Sequence, residues 1–207
     1  DILTSQNLIQ QGTVIDVLLQ SLIVDKTINV NELLIGDKNA IMVAARILGY
    51  GKDYEFEYDG VEQKVDLSKL NPVKIEFENS PKGVNEFSYV LPNSKRTITF
   101  KLLNGKDEKQ IESELKALRK ISKTQSSSLT TRLKKMILSV DGNSEKSYIN
   151  NFVDNEFLSR DSLVFRQYLT KITPDMDMTT TVNDSNGKET EVVIPITVRF
   201  FWPATGI

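Results

Sequence analysis

Short alternating segments closed by tight turns constrain the fold of this chain more than any other feature. Tyr54, Phe56 and Tyr58 alternate with acidic residues, which predicts a strand with one buried face. The Asp59-Gly60 pair that follows is typical of a two-residue hairpin turn, and apolar residues recur after it at strand spacing. The pattern therefore predicts a compact antiparallel hairpin.

Similar hairpin signals recur twice, and helical patterns separate them. Residues 86–92 and 96–103 have the pattern of two strands joined by a polar turn, and residues 177–202 have that of a hairpin that turns at 183–188. Amphipathic helical patterns cover residues 2–25, 37–51, 104–122 and 129–141, and two more helices are expected within 148–172. Helices and small antiparallel hairpins in this order predict an α+β fold and not a wound parallel sheet.

The first and last thirds of the chain match each other at an offset of 124 residues. Leu34 then aligns with Leu158 and Asp37, the predicted N-cap of its helix, aligns with Asp161; in each copy a helix precedes a hairpin. Two interpretations stay open, namely chance and an internal duplication of a helix-plus-hairpin unit. We expect one compact unit made of three segments: a helical segment with the first hairpin (1–72), an inserted hairpin and charged helix (73–128), and a helical segment with the second hairpin (129–207).

The composition removes most catalytic side chains. The 207 residues include no cysteine and no histidine, which excludes disulfides, thiol catalysis, Cys/His zinc sites and histidine general bases. The formal net charge is −2, from 26 basic and 28 acidic residues. No apolar run approaches the roughly 18 residues that span a bilayer. On composition alone an enzyme that uses carboxylate, lysine, serine or tyrosine side chains stays possible, but we expect no catalytic residues, cofactor, metal site or membrane span.

Carboxylates are the one plentiful catalytic residue type. On a strand, Asp53, Glu55, Glu57 and Asp59 project to one face because they lie two residues apart. Such a row suits Mg²⁺ or Ca²⁺, and a carboxylate-based metal-dependent enzyme is the alternative from another function class. We favour a solvated face of a half-buried strand, whose like charges also discourage unwanted strand pairing.

Basic residues gather in two neighbouring stretches of the middle region. A nucleic-acid contact is one interpretation, but the aromatic side chains that single-strand binders interleave with such residues are missing there. Cations that complement the C-terminal ends of helices explain the pattern better, so we expect no nucleic-acid partner. The residues concerned are Lys116, Arg119, Lys120, Lys123, Arg132, Lys134 and Lys135.

Three large aromatic residues precede a proline near the end of the chain. Trp202 is the only tryptophan in the sequence. If residues 194–202 form a strand, Phe200 and Phe201 point to opposite faces, so one of them must meet a second surface. That surface belongs either to a helix of the same chain or to a partner protein, since Trp and Phe dominate binding hot spots. Phe200, Phe201, Trp202 and Pro203 are the predicted partner-binding residues.

Seven segments in a fixed order carry a family resemblance. They are ILTSQNLIQQG, GDKNAIMVAARILGYG, VDLSKL, ITFKLLNGKDEKQIESELKAL, TTRLKKMILSVDGN, NFVDNEFLSRDS and FFWP. In this order they resemble the baseplate hub assembly proteins of T-even-type phages, over residues 1–203. The resemblance implies a bacteriophage protein that is needed to build the central hub of the tail baseplate and that has baseplate hub proteins as its partners.

The chain departs from the family pattern in its hairpins. Many members of the family carry Cys-x-x-Cys pairs at the tips of two hairpins, whereas the corresponding stretches here are YDGVEQK and NDSNGK. A zinc clasp implied by the family therefore does not transfer to this chain. We expect a non-enzymatic assembly factor that acts in the host cytoplasm through protein–protein binding; the alternative is a structural hub component retained in the virion tail baseplate.

Overall fold

The structure, a computed structural model, describes residues 13–75, 83–121, 128–196 and 198–201. The chain divides into two compact units. The terminal unit comprises Asp1–Val73 and Pro174–Ile207, and the central unit comprises Lys74–Thr173. Each unit is described by itself below.

Helices alternate with small antiparallel sheets along the chain. Strands β1 and β2 form one hairpin, β6 and β7 form another, and β3, β4 and β5 form a sheet in that order. The fold is therefore α+β, as predicted. The elements are α1 Val14–Leu22, α2 Ile35–Tyr50, β1 Asp53–Tyr58, β2 Val61–Asp66, β3 Phe87–Val90, β4 Thr97–Phe100, α3 Gly105–Ile121, α4 Ser128–Met136, β5 Ile137–Val140, α5 Lys146–Asn151, α6 Ser159–Ile172, β6 Thr179–Asn183, β7 Glu189–Val193 and α7 Val198–Phe201.

The core of the terminal unit lies between helices α1 and α2 and the inner faces of the hairpins. Burying these apolar side chains removes them from water, which is the dominant stabilising term in folding. Helix α2 ends at Tyr50 and is capped by Gly51, whose φ of 82° favours glycine. The buried members of the core are Leu19, Val30, Met42, Val43, Tyr54, Leu67, Met178, Ile194, Phe200 and Phe201.

The start of α2 lies two residues before the predicted one. The helix begins at Ile35, and Asp37 sits in its first turn instead of at the N-cap. Desolvation by the surrounding protein raises the pKa of Asp37 although its side chain is exposed, and a hydrogen bond from the backbone N–H of Leu34 opposes that rise. A carboxylate in the first turn can accept a hydrogen bond from an unpaired backbone N–H at the start of the helix, as an N-cap side chain does. The residue pattern alone therefore does not distinguish the N-cap position from a position in the first turn.

One charged side chain of α2 is buried at the end of the helix. Arg46 is 4% exposed, and its guanidinium donates to the carbonyl oxygens of Gly51 and Asp53, each at 3.0 Å. The same group lies 5.2 Å from the ring centre of Tyr50 and 5.7 Å from that of Tyr54. Arg46 therefore joins the end of α2 to the start of β1.

In the central unit, aromatic rings pack the sheet against α6. Phe100 of β4 is fully buried, and its ring meets that of Phe165 edge to face at 4.9 Å. Tyr89 of β3 stacks on Tyr168 with ring centres 4.5 Å apart. These contacts fix α6 across the sheet, because such ring pairs are stabilised beyond their burial alone.

The predicted helix over residues 129–141 is wrong in its last third. Helix α4 ends at Met136, and Ile137–Val140 form β5, which pairs with β4 so that Val140 lies opposite Ile98. Both of these side chains are fully buried. Pairing with β4 covers apolar surface that a continued helix would leave open, so tertiary context overrides the local pattern.

This pairing changes the expected division of the chain. Because β5 completes the sheet of the inserted hairpin, residues 129–173 belong to the central unit and not to a third segment. The chain returns to the terminal unit at Pro174 and there forms the β6–β7 hairpin. The structure thus has two units where the sequence suggested segments 1–72, 73–128 and 129–207.

Candidate interaction surfaces

The predicted C-terminal strand ends earlier than expected. Strand β7 stops at Val193, the N–H of Ile194 still donates to the Met178 carbonyl at 2.8 Å, and Val198–Phe201 form a helical turn. Pro195, which lacks an N–H, follows directly, and proline does not continue a ladder of strand hydrogen bonds.

This helical turn changes the position of the aromatic residues. Phe200 is fully buried and Phe201 is 3% exposed. Their rings meet edge to face at 5.2 Å, and Phe200 meets Tyr54 in the same way at 4.9 Å. Successive side chains on a helix are about 100° apart, so both rings can enter one core. The expectation that one ring faces a second surface is therefore wrong for these two residues; Trp202 and Pro203 lie outside the described residues.

The tips of the two hairpins of the terminal unit contact each other. Asp59 and Gly60 have φ values of 50° and 73°, as a two-residue turn between strands of right-handed twist requires. The Asp59 carboxylate accepts hydrogen bonds from the backbone N–H of Ser185 at 3.1 Å and from its hydroxyl at 2.5 Å. Beside them, the Gln63 amide donates to the Asn183 carbonyl at 2.9 Å. Hydrogen bonds thus join the two tips where the family resemblance implied a zinc clasp.

The carboxylate of Asp59 is the acceptor in this contact, and replacing it tests the contact. The hydroxyl and then the N–H of Ser185 lower the pKa of Asp59, so the carboxylate stays ionised at neutral pH. In Asp59→Gly the turn keeps a residue that accepts positive φ. We expect the Ser185 amide to exchange with deuterium about fivefold faster or more, while the Val61 amide of the turn stays protected. Equal exchange of the Ser185 amide in both proteins would contradict the contact.

The carboxylates of β1 form the predicted exposed row and are partly neutralised. Asp53, Glu55 and Glu57 are exposed, and Lys64 on the neighbouring strand lies 2.9 Å from Asp53 and 3.8 Å from Glu55. Among the described residues, no group of three or more acidic side chains is placed to hold a metal ion. The arrangement matches the solvated strand face that the sequence favoured.

The two units carry opposite charge. The central unit has 18 basic and 12 acidic residues, a net charge of +6, whereas the terminal unit has 8 basic and 16 acidic residues, a net charge of −8. The net charge of the whole chain, −2, does not reveal this difference between the units. Oppositely charged surfaces of this kind steer association with charged partners.

A groove of about 600 Å³ opens on the central unit between α3, α4, α5 and the π-helical segment Phe152–Glu156. Lys134 is held by Asp154 at 2.6 Å, whereas Lys135 and Lys146 form no ion pair within the described part of the chain. The groove is lined by Glu114, Leu118, Thr130, Thr131, Lys134, Lys135, Lys146, Asn150 and Asp154.

The groove contains only part of the predicted basic set. Arg132 pairs with Glu108 at 2.7 Å and Lys116 pairs with Glu112 at 2.7 Å, outside the groove, and Lys123 lies outside the described residues. Lys146 was not singled out by the sequence, because it is isolated in a polar stretch and reaches the groove only through the fold. The one sequence signal for the groove is the pair Lys134-Lys135.

Comparison of the chain with protein-family models, curated proteins and solved structures found no match. Within the described ranges, no helix combines the length and the apolar character needed to cross a membrane.

Proposed function

We propose that this protein is a non-enzymatic phage tail assembly protein that promotes formation of the baseplate central hub by binding hub proteins in the host cytoplasm. The observation that carries the proposal is the ordered set of seven segments that resembles the T-even-type hub assembly proteins. Each segment alone is only weakly specific for that family, but the same order of all seven over most of the chain is much more specific for it.

The structure supports a role in binding because it offers charged surfaces on both units. The segment GDKNAIMVAARILGYG covers all but the first residue of α2 in the terminal unit, and TTRLKKMILSVDGN covers most of α4 and all of β5 in the central unit. The second of these segments supplies four residues of the groove lining, Thr130, Thr131, Lys134 and Lys135. Partner recognition through such surfaces needs neither cofactor nor catalytic residue.

The test is a phage that lacks this gene, complemented by the protein with an affinity tag added at its N-terminus, which leaves the C-terminal sequence around Trp202 unaltered. We expect the deletion phage to accumulate tails without complete hubs, and the tagged protein to co-purify with hub proteins from infected cells. Complete hubs in the deletion phage would overturn the proposal. Stoichiometric protein in purified tails, measured by mass spectrometry, would instead support the alternative of a structural hub component.

Trp202 remains the leading predicted contact residue at the C-terminal end. We expect Trp202→Ala to weaken capture of hub proteins about tenfold or more, because truncated tryptophans are among the costliest changes in binding interfaces. Phe200→Leu is the matched control, since Phe200 is buried in the core. It should lower the melting temperature without changing capture by the folded fraction. If Trp202→Ala captures hub proteins undiminished and has an unchanged melting temperature, Trp202 contributes neither to partner binding nor to stability.

A further inference from the structure

We infer that the groove of the central unit binds an acidic segment of a partner protein. The inference rests on the proposed function only in taking the partner to be a protein; the groove itself is a feature of the fold. It assigns a binding site to residues of the central unit, whereas the aromatic residues near the end of the sequence belong to the terminal unit.

Two lysines give the groove its selectivity for acidic groups. Lys135 lies on α4 and Lys146 begins α5, and both line the groove without an ion pair inside the described part of the chain. Lys134 is already engaged, because Asp154 lies 2.6 Å from its ammonium group. Lys135 and Lys146 are therefore the cations available to a ligand carboxylate, in a unit with a net charge of +6.

The rest of the lining favours a peptide over a nucleic acid. Glu114 also lines the groove, and its carboxylate can accept hydrogen bonds from the N–H groups of a peptide backbone. The described lining residues include no aromatic ring on which a base could stack. Thr130 and Asn150 offer hydrogen-bonding groups that suit a peptide backbone.

An apolar side chain adds a second element of recognition. Leu118 of α3 is 39% exposed and lines the groove. The volume of about 600 Å³ is within the range of pockets that bind drug-sized ligands. The matching ligand is therefore a segment in which acidic residues flank a leucine or a similar apolar residue.

The binding test uses the full-length protein and a fluorescein-labelled peptide of about twelve residues made of glutamate and aspartate with two central leucines. Its control has the same sequence with glutamine and asparagine in place of the acids. We expect saturable binding of the acidic peptide by fluorescence anisotropy, weaker binding at about 0.3 M salt, and no measurable binding of the amide control.

Matched variants locate the site. The double variant Lys135→Gln/Lys146→Gln is expected to bind the peptide about tenfold more weakly. Lys74→Gln/Lys106→Gln removes the same charge from exposed lysines of the central unit outside the groove, and should bind as the unmodified protein does. Peptide-induced shifts of the Leu118 and Thr130 NMR signals in the unmodified protein give a readout that does not depend on either variant folding.

Three outcomes would overturn the inference. One is equal peptide affinity for both double variants. Another is preferential binding of a single-stranded oligo-dT probe at the same lysines, which would make the groove a nucleic-acid site. The third is self-association at low salt that Lys135→Gln/Lys146→Gln abolishes, which would make a second copy of this chain the occupant. None of these results bears on hub assembly in the deletion phage, so the two proposals can fail separately.

Discussion

Gly36→Ala is expected to lower the free energy of unfolding of the terminal unit by about 3 kcal/mol, at the upper end of what overpacking costs. Gly36 lies in the first turn of α2, where the returning chain passes. A methyl group built on it would lie 1.9 Å from the Pro174 carbonyl oxygen and 2.6 Å from the Asp175 Cα. Real methyl groups do not approach other heavy atoms so closely, and both atoms belong to the backbone, so one of the two segments must move.

Movement there would disturb the hydrogen bonds that hold the returning chain. The Asn39 amide donates to the Asp175 carboxylate at 2.9 Å, and the N–H of Val73 donates to the Asp175 carbonyl at 2.8 Å. The N–H of Asp177 donates to the Asn71 carbonyl at 2.9 Å. Because Asp175 takes part in two of these three bonds, a shift of its backbone weakens several contacts at once.

The same helix offers a matched control. Gly49 is exposed near the end of α2, and a methyl group built on it would meet nothing within 4 Å. Gly49→Ala is therefore expected to stabilise the protein by about 0.5–1 kcal/mol, since alanine is the better helix former. Urea denaturation of the two variants, followed by circular dichroism, measures both effects. A Gly36→Ala protein that unfolds at the same urea concentration as the unmodified protein would contradict the close approach.

The parts of the fold that could be predicted are those whose signals are local. The alternation of Tyr54, Phe56 and Tyr58 and the Asp59-Gly60 turn depend on neighbouring residues alone, and both are confirmed. The strand formed by Ile137–Val140 could not be predicted in this way. Its conformation is decided by β4, which lies some 40 residues earlier in the chain.

The candidate surfaces show the same difference between local signals, which the sequence reveals, and contacts that only the fold creates. Phe200 and Phe201 stood out in the sequence because of their size, yet the short helix α7 buries both. Lys146 carried no local signal and joins Lys135 only because α4 and α5 both border the groove. A cluster that depends on contacts between separate helices is visible in the sequence only when its members are also neighbours in the chain.

The match between the first and last thirds of the chain shows what a local sequence pattern can predict and what it cannot. Helices α2 and α6 begin at equivalent positions of the 124-residue offset, each directly after a leucine. Their third residues, Asp37 and Asp161, nevertheless have opposite environments, since the pKa of Asp37 is raised and that of Asp161 is lowered. The helices also belong to different units, so the duplication stays a hypothesis about origin and does not predict packing.

Asp161 holds the turn between β3 and β4 and is expected to be the most sensitive charged residue of the central unit. It is fully buried, and its carboxylate accepts hydrogen bonds from the N–H of Asn93 at 2.8 Å and of Ser94 at 2.9 Å. The Asn93 side-chain amide adds a third bond at 2.8 Å. Asp161→Ala leaves these donors without an acceptor, so we expect a loss of about 3 kcal/mol in the free energy of unfolding.

A carboxylate elsewhere in the same unit serves as the control. Glu145 is exposed, and its side chain makes no capping hydrogen bond at the start of α5. Glu145→Ala should change the free energy of unfolding by less than about 0.5 kcal/mol. Similar urea midpoints for the Asp161 and Glu145 variants would show that the buried carboxylate does not hold the turn.

The effect of Asp161 also has a defined pH dependence. Burial alone would raise its pKa, but the hydrogen bonds from Asn93 and Ser94 outweigh burial and lower the pKa to about 2, from an ordinary value of 3.8. Between these two values the unfolded chain binds a proton that the folded protein does not, so the stabilisation is fully present above about pH 5 and is lost as the pH falls toward 2. The difference in unfolding free energy between the unmodified protein and Asp161→Ala should therefore shrink between pH 5 and pH 2.5. A difference that stays constant over this range would show that the ionised carboxylate is not what the turn requires.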